Sequence, residues 1–224
     1  MYRNELKFFI NAHQKNLMAN KLNQICQRDS FSDSDGGYLV SSLYFDDYDQ
    51  SAFFDKLNGV RDRKKFRVRV YNYRSDVIKL ERKIKREIVT DKSHIQISKE
   101  EYESIVGGDA SFLGHKQNAV ANDFYLNFRT RNLRPRVVVE YRREAFIYPY
   151  GDVRITFDTL LKAGVFQRDL FSRGYMISAL PYDQIILEVK YTGYFPAVIR
   201  NIIQTSNLQR QAISKYARCI AAGM

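Results

Sequence analysis

Residues 64–89 read KKFRVRVYNYRSDVIKLERKIKREIV. In the first part Lys65, Arg67, Arg69 and Tyr71 alternate with Phe66, Val68 and Val70. In the second, Lys79, Glu81, Lys83 and Lys85 alternate with Ile78, Leu80 and Ile84. Successive residues of a strand point to opposite faces, so the stretch predicts two strands, each with one apolar and one charged face. The polar residues around Ser75–Asp76 predict the turn between them.

The same alternation recurs outward along the chain. It is present in Arg3–Ile10 with Glu5 and Lys7, and in Val153–Leu160 with Arg154, Thr156 and Asp158. In Gln184–Tyr191, Glu188 and Lys190 alternate with Leu187 and Val189. Tyr38–Phe45 and Arg136–Ile147 are further strand candidates. Helices are predicted from His13 to Arg28, Tyr48 to Leu57, Ser98 to Val106, Lys116 to Leu133, Pro196 to Gln204 and Ser214 to Ala222. Ser98 and Glu101 have the spacing of a capping box, and Pro196 suits a first helical turn. With no repeat, linker or low-complexity tract, the reading is one domain over residues 1–224, of at least seven strands with helices outside.

A lone strand with charges on one face is ordinarily part of a solvated outer sheet face. Here five segments share the pattern, and the amphipathic helices supply cover for the apolar faces, which turns the charged rows inward. An inward row of unpaired ions costs several kcal/mol per ion, so it implies partners or a ligand. A barrel of about eight strands has room for one small ligand. Lys and Arg outnumber Asp and Glu 36 to 25, a net charge of +11, so the ligand is expected to be an anion. The few carboxylates suit divalent cations, which take hard oxygen ligands. Phosphate chains with Mg²⁺ or Mn²⁺ meet both demands.

Other classes find less support. Cys26 and Cys219 form no metal-binding spacing or disulfide framework, and no apolar run is long enough to cross a bilayer. The N-terminal MYRNELKFF lacks the pattern of a secretory leader. The expected location is the cytoplasm, with room for a membrane-protein partner. No stacking-platform motif is present, so nucleic acid is not the expected partner. His13, His94 and His115 have no spacing of a triad or metal site.

At these residues the chain resembles the vacuolar transporter chaperone (VTC) catalytic domain, the polyphosphate polymerase branch of the CYTH-like triphosphate tunnel metalloenzymes. The ordered landmarks are Lys7, SLYFDD at 42–47, KFRVRVY at 65–71, LERK at 80–83, EYRREAF at 140–146, RITFD at 154–158, LEVK at 187–190 and SKY at 214–216. The resemblance implies an α+β fold, an eight-stranded antiparallel barrel with helices packed outside. It implies transfer of the γ-phosphate of ATP onto inorganic polyphosphate with Mn²⁺ or Mg²⁺. Lys7, Arg67, Arg69, Lys83, Tyr141, Arg143, Arg154, Ser214 and Lys215 match its phosphate-binding set. Glu188 matches its metal-binding carboxylate, and Glu5 is a second metal candidate. Arg67, Arg69, Lys83 and Glu188 are the expected catalytic group.

Two departures stand out. After LERK the family has another basic residue, where this chain offers Lys92 and His94 within DKSHIQIS. Around Glu140 the family phase sends Tyr141 and Arg143 inward and leaves Glu140 and Arg142 on the other face. The competing functions are hydrolysis of triphosphates in the same tunnel and binding of polyphosphate without turnover. Nucleotide, acceptor and oligomeric state are not written in the sequence.

Overall fold

The computed structural model describes residues 3–87, 89–204 and 208–224. In chain order the elements are β1 (Arg3–Ile10), α1 (Ala12–Ile25), β2 (Gln27–Arg28), β3 (Tyr38–Asp46), α2 (Ser51–Leu57), β4 (Arg63–Tyr71), β5 (Lys79–Arg86) and β6 (Val89–Gln96). Then come α3 (Lys99–Gly107), a 3₁₀ turn (Ser111–His115), α4 (Ala119–Thr130), β7 (Arg134–Tyr148), β8 (Val153–Gly164), β9 (Ile177–Ser178), β10 (Ile185–Thr192), α5 (Ala197–Gln204) and α6 (Lys215–Ala222). The pairings β1–β10, β10–β8, β3–β4, β4–β5 and β5–β6 are antiparallel, and the fold is α+β as expected from the resemblance.

The chain divides into two compact units. The first comprises Met1–Leu39, Tyr141–Leu161 and Leu180–Ile213; the second comprises Val40–Glu140, Lys162–Ala179 and Ser214–Met224. Strands β7 and β8 each contribute to both.

In the first unit the strand order is β1-β10-β8-β7. Phe8, Ile155, Phe157, Leu187 and Val189 form its apolar face and pack with Met18 and Leu22 of α1 and Ile199, Ile202 and Ile203 of α5. Each such buried side chain contributes about 1.5–3 kcal/mol relative to exposure, which fixes the register of the strands that carry them. Helix α1 opens on Asn11, whose side chain accepts from Gln14 N at 2.8 Å, while Gln14 Oε1 accepts from Asn11 N at 3.0 Å. It ends before the predicted Arg28, because Gln27 and Arg28 pair with Ile147 and Phe146 as β2.

In the second unit the order is β7-β3-β4-β5-β6. Leu43, Phe45, Phe66, Val68, Val70, Ile78 and Leu80 pack with Tyr102 and Ile105 of α3 and Val120, Phe124 and Phe128 of α4. The expected capping box is present at α3: Ser98 Oγ accepts from Glu101 N at 3.1 Å and Glu101 Oε2 from Ser98 N at 3.0 Å. Strand β6 was not among the strands that alternation predicted. Its sequence VTDKSHIQ has no apolar alternation, and the chain enters it after Glu87 at φ 50° without a Gly, Asn or Asp to signal the turn.

Within each unit, register and period then place the charged strand residues on the face opposite the one that meets these helices.

Candidate anion-binding faces

The second unit carries three cross-strand rows. Tyr44, Arg67, Glu81 and His94 form one, and Ser42, Arg69, Lys79 and Gln96 another. Lys65, Lys83 and Lys92 form the third. Directly opposed like charges repel, so three lysines side by side are a placement that an anion would relieve.

Glu81 is the only carboxylate in these rows and is 2% exposed. Arg67 donates to its Oε2 from Nε at 2.6 Å and Lys92 donates to its Oε1 at 2.8 Å. Burial pushes the Glu81 carboxyl up, but Arg67, Arg69 and Lys92 outweigh it and hold it well below the usual carboxylate range. Arg67 also donates to Tyr44 Oη at 2.7 Å, and Arg69 Nε donates to Ser42 Oγ at 3.0 Å. These bonds hold the guanidinium groups in fixed orientations, which long basic side chains lack on an open surface.

Burial, with Arg63, Lys56 and Lys83 nearby, pushes the Lys65 ammonium down to about 7 against the pull of Asp46. Lys65 Nζ lies 4.7 Å from the ring centroid of Tyr216, which stacks on Tyr44 at 5.0 Å. Burial and the guanidinium groups of Arg67 and Arg69 likewise bring Lys92 down to about 8, opposed by Glu81. Lys92 stands opposite Lys83 across β5 and β6. Ser214 is the N-cap of α6, accepting from Ala217 N at 3.3 Å, and Lys215 is the first residue of that helix.

The first unit carries the other expected residues. Lys7 opposes Glu188 and Glu5 opposes Lys190 across β1 and β10, on one face. Lys7 Nζ lies 3.5 Å from Glu5 and 3.8 Å from Glu188, and donates to Ile213 O at 3.2 Å. Lys190 pairs with Glu188 and lies 3.6 Å from Glu5. Both ammonium groups therefore share both carboxylates. Glu188 is 4% exposed.

Across β8, Arg154 donates to Asp29 at 2.5 Å and to Tyr38 Oη at 2.9 Å. Burial pushes the Tyr38 phenol up to about 12, with Arg143 and Arg154 opposing. Arg143 grips the fully buried Asp158 with two bonds, Nε at 2.6 Å and Nη2 at 2.8 Å, and lies 5.1 Å from the centroid of the Tyr141 ring. Glu5, Glu81 and Asp158 all have basic partners.

Glu140 accepts from Ser41 Oγ at 3.0 Å and Tyr73 Oη at 2.8 Å, and Arg142 pairs with Asp33 at 2.9 Å, whereas Arg143 meets Asp158. Glu140 thereby belongs to a buried hydrogen-bond network. The three histidines are exposed. Alternation flagged Lys65 but gave no reason to rank it with the site. The signal lies in its opposition to Lys83, which only the register reveals. A groove of about 840 Å³ in the second unit, lined by Lys64, Phe66, Arg82, Ile84 and Asp123 among others, includes none of the expected site residues. Among the described residues no helix is long and apolar enough to cross a membrane.

Solved structures that share this fold include the following two. A candidate adenylyl cyclase from Hippeastrum, described as having a dominant triphosphatase activity, superposes with a TM-score of 0.56 at 11% identity, over 98% of this chain and 94% of its own. A candidate adenylate cyclase from Bacillus halodurans gives 0.54 at 13% identity, over 86% of this chain and 83% of its own. No curated protein matches the sequence. The model of the VTC domain, by contrast, matches from residue 2 to residue 223, across both units and every landmark quoted above. The chain belongs to the VTC domain family.

Proposed function

We propose that this chain is a metal-dependent polyphosphate polymerase, moving the γ-phosphate of a nucleoside triphosphate onto inorganic polyphosphate. The observation that carries the reading is the set of cationic rows in a VTC-family chain: Lys65, Lys83 and Lys92 side by side, next to Arg67 and Arg69. So many cations around one carboxylate are matched by the closely spaced charges of a phosphate chain.

Arg67, Arg69, Lys83 and Lys92 bind phosphate oxygens in this reading, with Lys65 beside them. In the first unit Lys7, Arg143, Arg154 and Tyr141 form a second phosphate-binding set, and Ser214 and Lys215 of the second unit offer a helix N-terminus. Among the described residues no three His, Cys, Asp or Glu side chains gather into a metal cage. Mg²⁺ in phosphate sites needs only one or two carboxylates, with phosphate oxygens and water completing the shell, and Glu188 with Glu5 fits that donor set. When bound, the cation supplies charge neutralisation on the phosphates.

In the transfer, a terminal oxygen of the acceptor chain attacks the γ-phosphorus in line. The bond from that phosphorus to the β–γ bridging oxygen breaks, and the nucleoside diphosphate leaves. Such a transfer needs positioning and charge stabilisation more than covalent help, which is what fixed Arg and Lys donors supply. The hydrolytic reading has one point in its favour, the triphosphatase activity ascribed to the Hippeastrum protein. Incubation with ATP and Mn²⁺ or Mg²⁺, followed by sizing of the products, separates them. Long phosphate chains with released ADP support the polymerase; orthophosphate without chains assigns hydrolysis; tight binding without either product leaves a binding module.

A further inference from the structure

Thr156 lies in β8 between Arg154 and Asp158 on the charged face of the first unit, directly opposite Glu188 of β10. Its side chain is 2% exposed, and its Oγ1 has no hydrogen-bond partner among the described residues. Every charged neighbour in these rows is engaged. Arg154 holds Asp29 and Tyr38, Asp158 holds Arg143, and Lys7 and Lys190 share Glu5 and Glu188. A buried hydroxyl without a partner is costly, and valine would fill the same volume without that cost. Directly opposed residues have Cβ atoms about 4.5–5.5 Å apart, so a group held by Glu188 is within reach of this hydroxyl.

We infer that Thr156 is a binding residue for the phosphate chain, its Oγ1–H donating to a phosphate oxygen whose charge Lys7 and a cation held by Glu188 would neutralise. This rests on the reading of the face as a phosphate site. A hydroxyl is suited to the place: it adds a donor where Lys7, Lys190, Glu5 and Glu188 already balance their charges, and it discriminates by geometry without changing that balance.

The test is calorimetric titration of inorganic tripolyphosphate, with and without Mg²⁺, into wild type, Thr156→Val and Thr156→Ser, together with thermal unfolding of each ligand-free protein. Thr156→Val is expected to weaken binding at least about tenfold, the loss typical of a hydrogen bond to a charged group, while Thr156→Ser binds within about twofold. Ligand-free Thr156→Val should unfold at the wild-type temperature or above it, because an unpaired hydroxyl has been removed. Should that variant fail to fold, Thr156→Ala takes its place in the same comparison. Wild-type affinity in the hydroxyl-free variant overturns the assignment of Thr156 alone. A wild-type protein that does not bind tripolyphosphate overturns the phosphate reading, and this inference with it.

Discussion

Replacing Lys65 with arginine should change how triphosphate binding depends on pH, and the size of the change follows from the environment of the ammonium. Burial brings Lys65 to about 7, so in the ligand-free protein it is half protonated near neutrality. A polyanion favours the protonated form, so binding takes up protons, and affinity falls as pH rises through 7. Between pH 7 and pH 9 the protonated fraction drops from about one half to about one in a hundred, which is about a fiftyfold loss of affinity if binding restores an ordinary lysine value. Arginine stays charged throughout this range, so Lys65→Arg should lack this component. The ligand titrates too, but identically for both proteins, and the ratio of their affinities isolates Lys65. Titration calorimetry with tripolyphosphate at pH 7, 8 and 9, repeated in buffers of different ionisation enthalpy, reports both the affinity and the proton uptake. Parallel profiles for the two proteins would refute the placement of Lys65 against the bound phosphate. Ligand-free stability gives a cross-check of opposite sign. Above pH 7 the unfolded chain holds more protons at this lysine than the folded one, so Lys65 contributes an increase of stability with pH up to about 10.5.

Other substitutions probe the remaining parts. Glu188→Gln removes a carboxylate from the set it forms with Glu5 and should abolish turnover and weaken Mn²⁺ binding, with the circular dichroism spectrum unchanged; near-normal rates would remove the carboxylate from the reaction. Arg143→Met leaves the fully buried Asp158 carboxylate without its two-bond partner and should cost about 3–5 kcal/mol in urea unfolding. Arg143→Met with Asp158→Leu should recover most of that loss, and failure to recover would show that the pair contributes more than its own ionic bond. Gly37→Ala places a methyl 2.8 Å from the carbonyl oxygen of Arg143 and should destabilise by about 1–3 kcal/mol, read as a lower thermal midpoint.

The parts legible in the sequence and the parts hidden from it divide along a physical line. Strands β4 and β5 could be read because their two faces differ in kind, Phe66, Val68 and Val70 against Lys65, Arg67 and Arg69, and period two reports that difference directly. Strand β6 could not, since VTDKSHIQ is exposed along most of its length and has no apolar row to reveal the period. Charge alternation says which residues share a face, but not which cation stands beside which carboxylate. That depends on register, and register is set by the apolar face, where Val68 meets Leu80 and Leu187 meets Phe157. So only the pairing shows that Glu81 stands against Arg67, with Lys92 reaching it from β6. Likewise only the register of β6 shows that Lys92 stands opposite Lys83. Thr156 is the limiting case. Its residue type is ordinary for a strand, and nothing about it attracts notice until every polar neighbour proves to be engaged and its hydroxyl does not. A site of this kind is specified less by the identity of any one residue than by which polar atoms the packed apolar face leaves for a ligand to satisfy.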